Sequence, residues 1–422
     1  MKKALELRKL AYWLQPDPTE EWGCRDQSLV TYKSLNRLRK NRPILAKALR
    51  SAGPLLRKVE EPKLQMWRAI SGDYKQITEN NKEKLGIQNE LFKTEAWKRS
   101  VNETREQNLK RIRAPWGYKE RINNSKELIK KIRSECEETK NTKIVFWHHH
   151  DNRGLVPKSW ISTFKLLREE DWIIIVSSTG LDGQMHEYLT KLGAIVTMRA
   201  NIGICLGAYK DFCCLLGEDI DLKNKIDSLI LANDSTLPIK GAKRMSECLK
   251  EVDTSLSIKQ PILAGLTDSI ERGKYHVQSY LLGINKEFMQ MQEWGEFWGK
   301  FDINGNKDEL IDRGEIGLSQ MALNNGVRVW ARYSLLESLL TVRNVKTELQ
   351  RYGVERMHEI NQTLTCWKSL LTRGFPLIKK QILLDPPVHP IPITELQEHL
   401  TDAGPDIIND IEELLRSKYL NT

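Results

Sequence analysis

A change of hydrophobic period near residue 144 constrains this 422-residue chain more than any other feature. From there on, short apolar runs alternate with amphipathic segments that have helical spacing. The runs are IVFWH at 144–148, WIIIVSS at 172–178, AIVTMR at 194–199, SLILAN at 228–233 and ILAGLTD at 262–268. Because strands that alternate with helices form βαβ units, this pattern predicts an α/β fold with a parallel sheet.

The alternation breaks after residue 268. HVQSYLLGI at 276–284 reads as a strand that follows after only a short connection. Two helices are predicted next, over EFMQMQEWGEFWGKF and DELIDRGEIGLSQMALNN. Since a short connection favours an antiparallel neighbour, we expect a mixed sheet that is mainly parallel.

The segment before the sheet is basic and reads as helices. Residues 1–143 hold 34 Lys and Arg against 19 Asp and Glu, whereas the remainder holds 32 against 37. Such an arm suits an anionic membrane surface or a nucleic acid, and it is equally compatible with solvated helix faces. We therefore expect a basic helical region at 1–140, an α/β domain at 141–345 and a helical C-terminal segment at 346–422.

Several classes of protein are disfavoured. The chain has neither an apolar run near the ~18 residues of a membrane helix nor a signal-peptide pattern after Met1. Its seven Cys include no C-x-x-C pair, which argues against a disulfide framework or a structural zinc site. We expect an intracellular protein with reduced thiols.

Polar residues follow the predicted strands where each strand ends. In open α/β sheets, ligands bind beyond the carboxyl ends of the strands, so this rim is expected to bind a phosphorylated ligand. The candidate residues are Asp151, Ser177, Arg199, Asn201, Gly203, Asn233, Asp234, Ser235 and Asp268.

The segment RANIGICLGAYKDF has two interpretations. Asn201 is suited to cap a helix and Gly203 to a close backbone approach, and free N–H groups at a helix start attract phosphate. Alternatively, this is an ordinary helix that packs Tyr209 and Phe212 on one stripe. In WHHHDN, consecutive strand residues point to opposite faces, so a three-His zinc site is not expected; one His with Asp151 fits a nucleotide pocket.

Glu315 is the candidate general base. On a helix it shares a stripe with Ile311 and Leu318, and burial there would raise the pKa of the carboxyl toward neutrality, as a base requires. The alternative is a capping box over DRGE, with Asp312 as N-cap. On the strand at 276–284, the residues that alternate to one face line a candidate acceptor site or an ordinary surface; they are His276, Gln278 and Tyr280.

These motifs, in this order, resemble the rhamnan synthesis protein F family of bacterial polysaccharide glycosyltransferases, over about residues 144–387. RANIGICLGAYKDF resembles the family's R-E-N-x-G-x-D-F-G-A-W element, LILANDSTLP its L-x-N-D-S segment and AGLTDS its G-L-T stretch. HVQSYLLGINKEF resembles H-L-Q-S-Y-F, and RGEIGLSQMALNNG the E-x-x-L-S element. The segment NQTLTCWKSLLTRGFPLIKKQILLDPP is similar to the closing N-x-T…W…L…G-F-P-F-I-K segment.

The resemblance implies a GT-A-like nucleotide-sugar glycosyltransferase that builds cell-surface polysaccharide or lipid-linked glycan, with a sugar such as rhamnose. It places Asp234 at the donor diphosphate, usually through Mg²⁺ or Mn²⁺, although NDS offers only one carboxylate. By similarity to inverting GT-A enzymes, Glu315 becomes the leading base and Asp268 the reserve. The expected location is cytoplasmic, peripheral at the inner face of the membrane, with nucleic acid an unlikely partner.

The chain departs from the family pattern at two positions. Ala200 stands where the family has the Glu of R-E-N, and Cys205 stands where it has the Asp of G-x-D-F-G. Both differences remove a carboxylate near the expected donor pocket. They support an alternative, a non-catalytic GT-A-like scaffold whose basic arm binds partners, membrane or RNA.

Overall fold

The structure is a computed structural model that describes residues 117–139, 141–151, 153–341, 359–384, 400 and 404–420. Backbone contacts divide the chain into two compact units. The larger unit holds the described residues at 117–268, 276–333 and 362–420, and the smaller one those at 269–275, 334–341 and 359–361.

The larger unit contains all of the described strands, apart from the last residue of β6. They are β1 (Thr142–His149), β2 (Ile173–Ser178), β3 (Ile195–Met198), β4 (Ile226–Asn233), β5 (Thr236–Leu237), β6 (Ile262–Ser269), β7 (His276–Val277), β8 (Leu281–Asn285), β9 (Arg328–Tyr333) and β10 (Ile378–Lys379). The five strands predicted between 144 and 268 correspond to β1, β2, β3, β4 and β6, which confirms the strand pattern.

The helices of this unit fill the connections between the strands and extend to the end of the described chain. They are α1 (Tyr118–Arg121), α2 (Ser125–Glu138), α3 (Lys158–Arg168), α4 (Gly183–Lys191), α5 (Ile204–Glu218), α6 (Ile220–Lys225), α7 (Gly241–Leu256), α8 (Lys286–Met289), α9 (Gln292–Lys300), α10 (Lys307–Leu310), α11 (Gly317–Asn324), α12 (Gln362–Thr365), α13 (Trp367–Thr372), α14 (Lys380–Leu384) and α15 (Pro405–Leu420). Between α10 and α11 the chain forms a π-helical turn at Ile311–Ile316.

The main sheet is mixed. Its order is β3-β2-β1-β4-β8-β6-β7, and β9 pairs with β6. Strands β3, β2, β1 and β4 run parallel, β8 is antiparallel to β4 and β6, and β9 is parallel to β6. The expected α/β class and mixed, mainly parallel sheet are confirmed, and the architecture is consistent with a GT-A-like fold.

The core is built on both faces of β1. Because successive strand residues point to opposite faces, Phe146 and Trp147 contact different helices. Phe146 stacks on Phe212 of α5 with ring centroids 4.3 Å apart. On the other face, Trp147 lies 5.3 Å from Phe164 of α3. Helices therefore cover both faces of the sheet, as the βαβ pattern predicted.

Two predicted elements are interrupted. The segment 276–284 is two short strands, β7 and β8, because the backbone N–H of Ser279 donates to the carboxylate of Glu315 (2.6 Å) instead of a neighbouring strand. The predicted helix over EFMQMQEWGEFWGKF is two helices, α8 and α9. The predictions of one continuous strand and one continuous helix were therefore wrong, although both lie at the predicted positions.

The smaller unit is described only in three short pieces. Ser269–Tyr275 contains one 3₁₀ turn at Glu271–Gly273, and a helix covers Leu335–Thr341. Asn361 donates to the carboxylate of Glu271 (3.0 Å), which joins two of the pieces.

Most of the basic region predicted at 1–140 lies outside the described residues. Its last part is helical, as expected for this region, and contains α2 over Ser125–Glu138. The boundaries at 140 and 345 stay predictions. No helix in the described part of the chain is both long and apolar enough to cross a membrane.

Candidate functional site

The candidate site lies where the parallel strands end. His148 of β1 pairs in register with Asn233 of β4 and with Ser177 of β2, so the carboxyl ends of three strands reach the same edge of the sheet. This is the edge at which open α/β sheets bind ligands.

Asn233, Asp234 and Ser235 form a tight turn at this edge. The N–H of Asp234 donates to the carbonyl of His148 (3.1 Å), and the N–H of Ser235 donates to the side-chain oxygen of Asn233 (2.9 Å). An asparagine that binds the N–H two residues ahead stabilises a turn locally. The turn holds the Asp234 carboxylate at the edge with 15% of its side chain exposed.

Lys380 joins this turn from the C-terminal part of the chain. Strand β10 pairs antiparallel with β5, and the N–H of Lys380 donates to the carbonyl of Ser235 (2.9 Å). Its ammonium Nζ then lies 3.2 Å from Oδ2 of Asp234. The Asp234 carboxylate is therefore paired with a positive charge that the turn sequence itself does not contain.

A chain of hydrogen bonds connects the turn to Glu315. Asn233 Nδ2 donates to Tyr209 Oη (3.3 Å), and Tyr209 Oη donates to the carbonyl of Ser279 (3.0 Å). The hydroxyl and the N–H of Ser279 both donate to Oε2 of Glu315. The two ends predicted from sequence, Asn233 beside Asp234 and Glu315, thus belong to one network.

Glu315 lies in the π-helical turn and is held as a carboxylate. Burial alone would raise the pKa of Glu315, but the interaction with His276, whose Nε2 lies 3.4 Å from Oε1, and the two donors of Ser279 outweigh burial. Together they lower the pKa of Glu315 to about 2. The expectation that burial raises this pKa toward neutrality was wrong, because sequence periodicity does not show hydrogen-bond partners.

The capping-box alternative for Glu315 was also wrong. The helix begins earlier, at Lys307, and its capping box consists of Asn306 and Glu309. Asp312 lies inside the continuous helix and cannot be its N-cap. Glu315 is therefore free of a capping role, and π-helical turns occur frequently at functional sites.

The two histidines that end β1, His148 and His149, point to opposite faces of the sheet, and both form hydrogen bonds. His148 Nδ1 donates to the carbonyl of Ser177 (3.1 Å), and burial lowers the pKa of His148. His149 contacts Ser178 Oγ (2.9 Å) and the carbonyl of Leu155 (3.0 Å) through its two ring nitrogens. Burial lowers the pKa of His149 too, so a neutral ring lies close enough to Asp234 to feel its charge.

Cys205 places a neutral thiol within electrostatic reach of the two carboxylates of the site, Glu315 and Asp234. Burial, followed by the negative charges of Glu315 and Asp234, raises the pKa of Cys205 to about 12. Both carboxylates therefore lie within electrostatic reach of the first turn of α5. Because the thiol stays protonated, this position adds no negative charge to the site.

Comparison with known proteins identifies the family. The model of the rhamnan synthesis protein F family matches residues 173–389, just over half of the chain. The chain belongs to the rhamnan synthesis protein F family. Membership indicates a glycosyltransferase of polysaccharide synthesis. Two sequences of virulence protein VirA from Vibrio anguillarum are each 26% identical over 272 residues, which is 61% of this chain and 80% of that protein.

The family match covers most of the site but not all of it. Asp234, Glu315 and Lys380 lie within 173–389, whereas β1 with His149 precedes the matched segment. Residues 1–172, which include the basic region, are not part of the match to the rhamnan synthesis protein F family.

Three rim residues predicted from sequence, Arg199, Asn201 and Gly203, lie between β3 and the first turn of α5. Asn201 does not cap α5: it is exposed, and the N-cap is Gly203 in a left-handed conformation (φ 74°). Arg199 is 5% exposed, and its guanidinium donates to Asp211 (2.8 Å), which also binds Arg121. These contacts give Arg199 a structural ion pair with Asp211 in the middle of α5.

Two further rim residues, Asp151 and Ser177, have local structural contacts near the ends of β1 and β2. The carboxylate of Asp151 accepts from the N–H of Arg153 (2.8 Å) and pairs with its guanidinium. Ser177 is buried, and its carbonyl accepts the hydrogen bond from His148.

The residues of the predicted acceptor face are buried and do not share one face. Gln278 Oε1 and Tyr280 Oη each lie 2.7 Å from Thr267 Oγ1, whereas His276 approaches Glu315. The alternation failed because the strand ends at Val277 and resumes at Leu281. Asp268, the reserve base, is 7% exposed, and its Oδ1 accepts from Gln362 (3.1 Å).

Four residues of the site were missed as functional candidates in the sequence. The sequence places Tyr209 on the packing stripe of α5. Ser279 lies between Gln278 and Tyr280, two of the predicted acceptor residues. Lys380 follows the segment GFPLIK, which resembles the closing segment of the family, but the resemblance does not indicate a role for the Lys380 charge. His149 was considered only within WHHHDN as a group. In each case the missing information was a long-range contact.

The residues around Asp234 do not fit a divalent cation held by the protein. Hard cations need several oxygen ligands, and Asp234 is the one carboxylate of its turn. Its Oδ2 already faces the ammonium of Lys380, which repels a metal ion, and both ring nitrogens of His149 have partners. Within the described ranges, no group of three His, Cys, Asp or Glu is placed to hold a metal.

Proposed function

We propose that this protein transfers a sugar such as rhamnose from a nucleotide-sugar donor to a growing cell-surface polysaccharide or lipid-linked glycan, with inversion at the anomeric carbon. The observation that carries the proposal is the hydrogen-bonded chain from Asn233 through Tyr209 and Ser279 to Glu315. It joins a turn suited to a diphosphate with a carboxylate suited to an acceptor hydroxyl.

The donor half of the site is the turn at the end of β4. Asn233, Asp234 and Ser235 offer polar groups at the sheet edge that binds ligands in α/β folds. Lys380 supplies a positive charge beside them. This combination suits the phosphate oxygens of a nucleoside diphosphate.

The acceptor half is Glu315. As a general base it would take the acceptor hydroxyl proton while that oxygen attacks the anomeric carbon, and the nucleoside diphosphate would leave. A carboxylate of pKa about 2 is a weak base in the free protein, but a donor diphosphate bound nearby raises the pKa through charge repulsion. Asp268 is the reserve for this role, and its amide partner Gln362 leaves it less exposed.

The basic region is the part proposed to dock on a membrane. Residues 1–116, which lie outside the described ranges, hold 26 Lys and Arg against 14 Asp and Glu. Each Lys or Arg near an anionic leaflet contributes on the order of 1 kcal/mol to binding. The protein would then work peripherally at the cytoplasmic face, where nucleotide sugars and lipid-linked acceptors meet.

A second candidate is a non-catalytic scaffold. It is favoured by Ala200 and Cys205, which stand where the family pattern has carboxylates, and by the neutral state of the Cys205 thiol. In that case the basic region would bind a partner, a membrane or RNA, and RNA binding would weaken steeply with salt.

Calorimetric titration with a panel of nucleotide sugars separates the two candidates. The glycosyltransferase proposal expects at least one donor to bind, and Asp234→Ala to weaken that binding while the melting temperature stays close to that of the wild type. A panel in which no donor binds the folded protein would favour the scaffold.

A further inference from the structure

We propose that Lys380, held at the rim by Asp234, supplies the positive charge that binds the donor diphosphate and stabilises it as it leaves, in the place where a divalent cation acts in many glycosyltransferases. This inference rests on the proposed function, and it names the group that handles the leaving phosphate.

The backbone fixes where Lys380 lies. The pairing of β10 with β5 brings Lys379 opposite Thr236, so the next residue meets the end of the Asn233–Ser235 turn. The N–H of Lys380 donates to the carbonyl of Ser235 (2.9 Å). The main chain thus fixes the backbone of Lys380 beside the turn, and its side chain, which carries the ammonium, is largely buried.

The Asp234–Lys380 pair is partly shielded from water. The two side chains are 15% and 17% exposed, and Nζ lies 3.2 Å from Oδ2. Near the surface of a protein, a charge interaction of this kind is several times stronger than in bulk water. The carboxylate orients the ammonium, and the remaining N–H donors of Lys380 are available to phosphate oxygens.

The other groups of the site reduce the need for a metal ion. Cys205 is a neutral thiol and Ala200 an apolar side chain at the two positions where the family pattern has carboxylates. A divalent cation commonly bridges protein carboxylates to phosphates, whereas the Asn233–Ser235 turn holds one carboxylate, Asp234, which is already paired with Lys380. The site is therefore matched to a monovalent ammonium.

The transfer step balances with these groups. The bond between the acceptor oxygen and the anomeric carbon forms, and the bond between that carbon and the phosphate oxygen breaks. The electron pair leaves with the nucleoside diphosphate, and the acceptor proton passes to the carboxylate base. The ammonium of Lys380 offsets the charge that develops on the leaving phosphate.

The test is calorimetric binding of UDP, GDP and dTDP to the full chain, in EDTA and again with excess Mg²⁺ or Mn²⁺. We expect one of these probes to bind in EDTA with an affinity close to that measured with the cation. Lys380→Met should weaken that binding by about tenfold or more. Lys380→Arg should retain most of the affinity, because the charge is kept, and Lys379→Met, at the adjacent last residue of β10, serves as the matched control.

Each outcome has a distinct meaning. Binding that requires Mg²⁺ or Mn²⁺, or a folded Lys380→Met protein that binds as the wild type does, would overturn this inference and leave the proposed function standing. If none of the probes binds the wild type with or without a cation, the proposed function fails, and the inference fails with it. Metal-independent binding is measured on the wild type, so the test holds even if Lys380→Met does not fold.

Discussion

Ser279 donates two hydrogen bonds to the carboxylate of Glu315, one from its backbone N–H and one from its hydroxyl. The hydrogen bond from the N–H interrupts the strand between β7 and β8. Glu315, which accepts both bonds, lies in a π-helical turn. Two departures from regular structure therefore meet at one carboxylate. Such local irregularities are typical of functional sites, because a regular strand or helix would direct these groups elsewhere.

Acid should destabilise the protein through Glu315. The pKa of Glu315 is about 2 in the folded state and 4.5 in the unfolded chain. The stabilisation from this carboxylate is therefore fully present above about pH 4.5 and is lost as the pH falls toward 2. The difference corresponds to on the order of 3 kcal/mol. Urea unfolding at a series of pH values should show a loss in this window that Glu315→Gln lacks. Identical acid profiles for the two proteins would contradict the assigned contacts.

Tyr209→Phe should break the network between the donor turn and Glu315. The variant loses the hydroxyl that donates to Ser279 and accepts from Asn233, which leaves two buried polar groups without that partner. We expect a loss of about 1–3 kcal/mol in the free energy of unfolding and slower sugar transfer. Denaturant unfolding and a transfer assay check the two effects. Tyr188→Phe, at a ring that is 43% exposed, is the control and should change neither.

Asp410 of α15 should determine stability without being part of the hydrogen-bond network from Asn233 to Glu315. Its carboxylate accepts from the N–H groups of Lys158 (2.7 Å) and Ser159 (2.9 Å), and so caps the start of α3 from another helix. Asp410→Ala should cost about 1–3 kcal/mol, because buried donors lose their acceptor. Asp410→Asn, which keeps one acceptor oxygen, should cost less. Thermal unfolding with the exposed Asn409→Ala as control measures this, and equal melting temperatures would refute the cap.

Removing the basic region should abolish binding to anionic vesicles. The truncation must stop before Gly117, because Arg121 of α1 forms a buried ion pair with Asp211 (2.6 Å). The protein without residues 1–116 loses a net charge of +12. Co-sedimentation with phosphatidylserine vesicles should fall sharply, and the melting temperature of the remaining chain should be retained. Undiminished sedimentation would rule out this region as the docking element.

The sheet was predictable from sequence, and the site only in part. Apolar runs such as WIIIVSS mark buried strands because burial on both faces leaves a continuous apolar signal. Asp234 and Glu315 were found by position along the chain. Their partners were not, since Lys380 is 146 residues from Asp234, and Ser279 is 36 residues from Glu315. Periodicity reports which face is buried, and it carries no information about which distant group meets it.

The same limit explains the errors about individual residues. The sequence correctly predicts that Glu315 is largely buried. The direction of its pKa shift, however, depends on His276 and Ser279, which come from another segment. Asn201 had the side chain of an N-cap, yet Gly203 adopts the left-handed backbone that begins α5. Local sequence offered both options, and tertiary packing selected one.

The rate of sugar transfer by Glu315→Gln, measured with the donor that binds best, tests most directly whether Glu315 is the general base. We expect a fall of about a hundredfold or more with donor affinity retained, because the variant keeps an acceptor oxygen for Ser279 but cannot take a proton. Its melting temperature should fall by several degrees, since the charged carboxylate and its contacts stabilise the fold. Asp268→Asn is the matched control and should remain much closer to the wild type. A fully active Glu315→Gln protein would contradict the assignment of this carboxylate as the base.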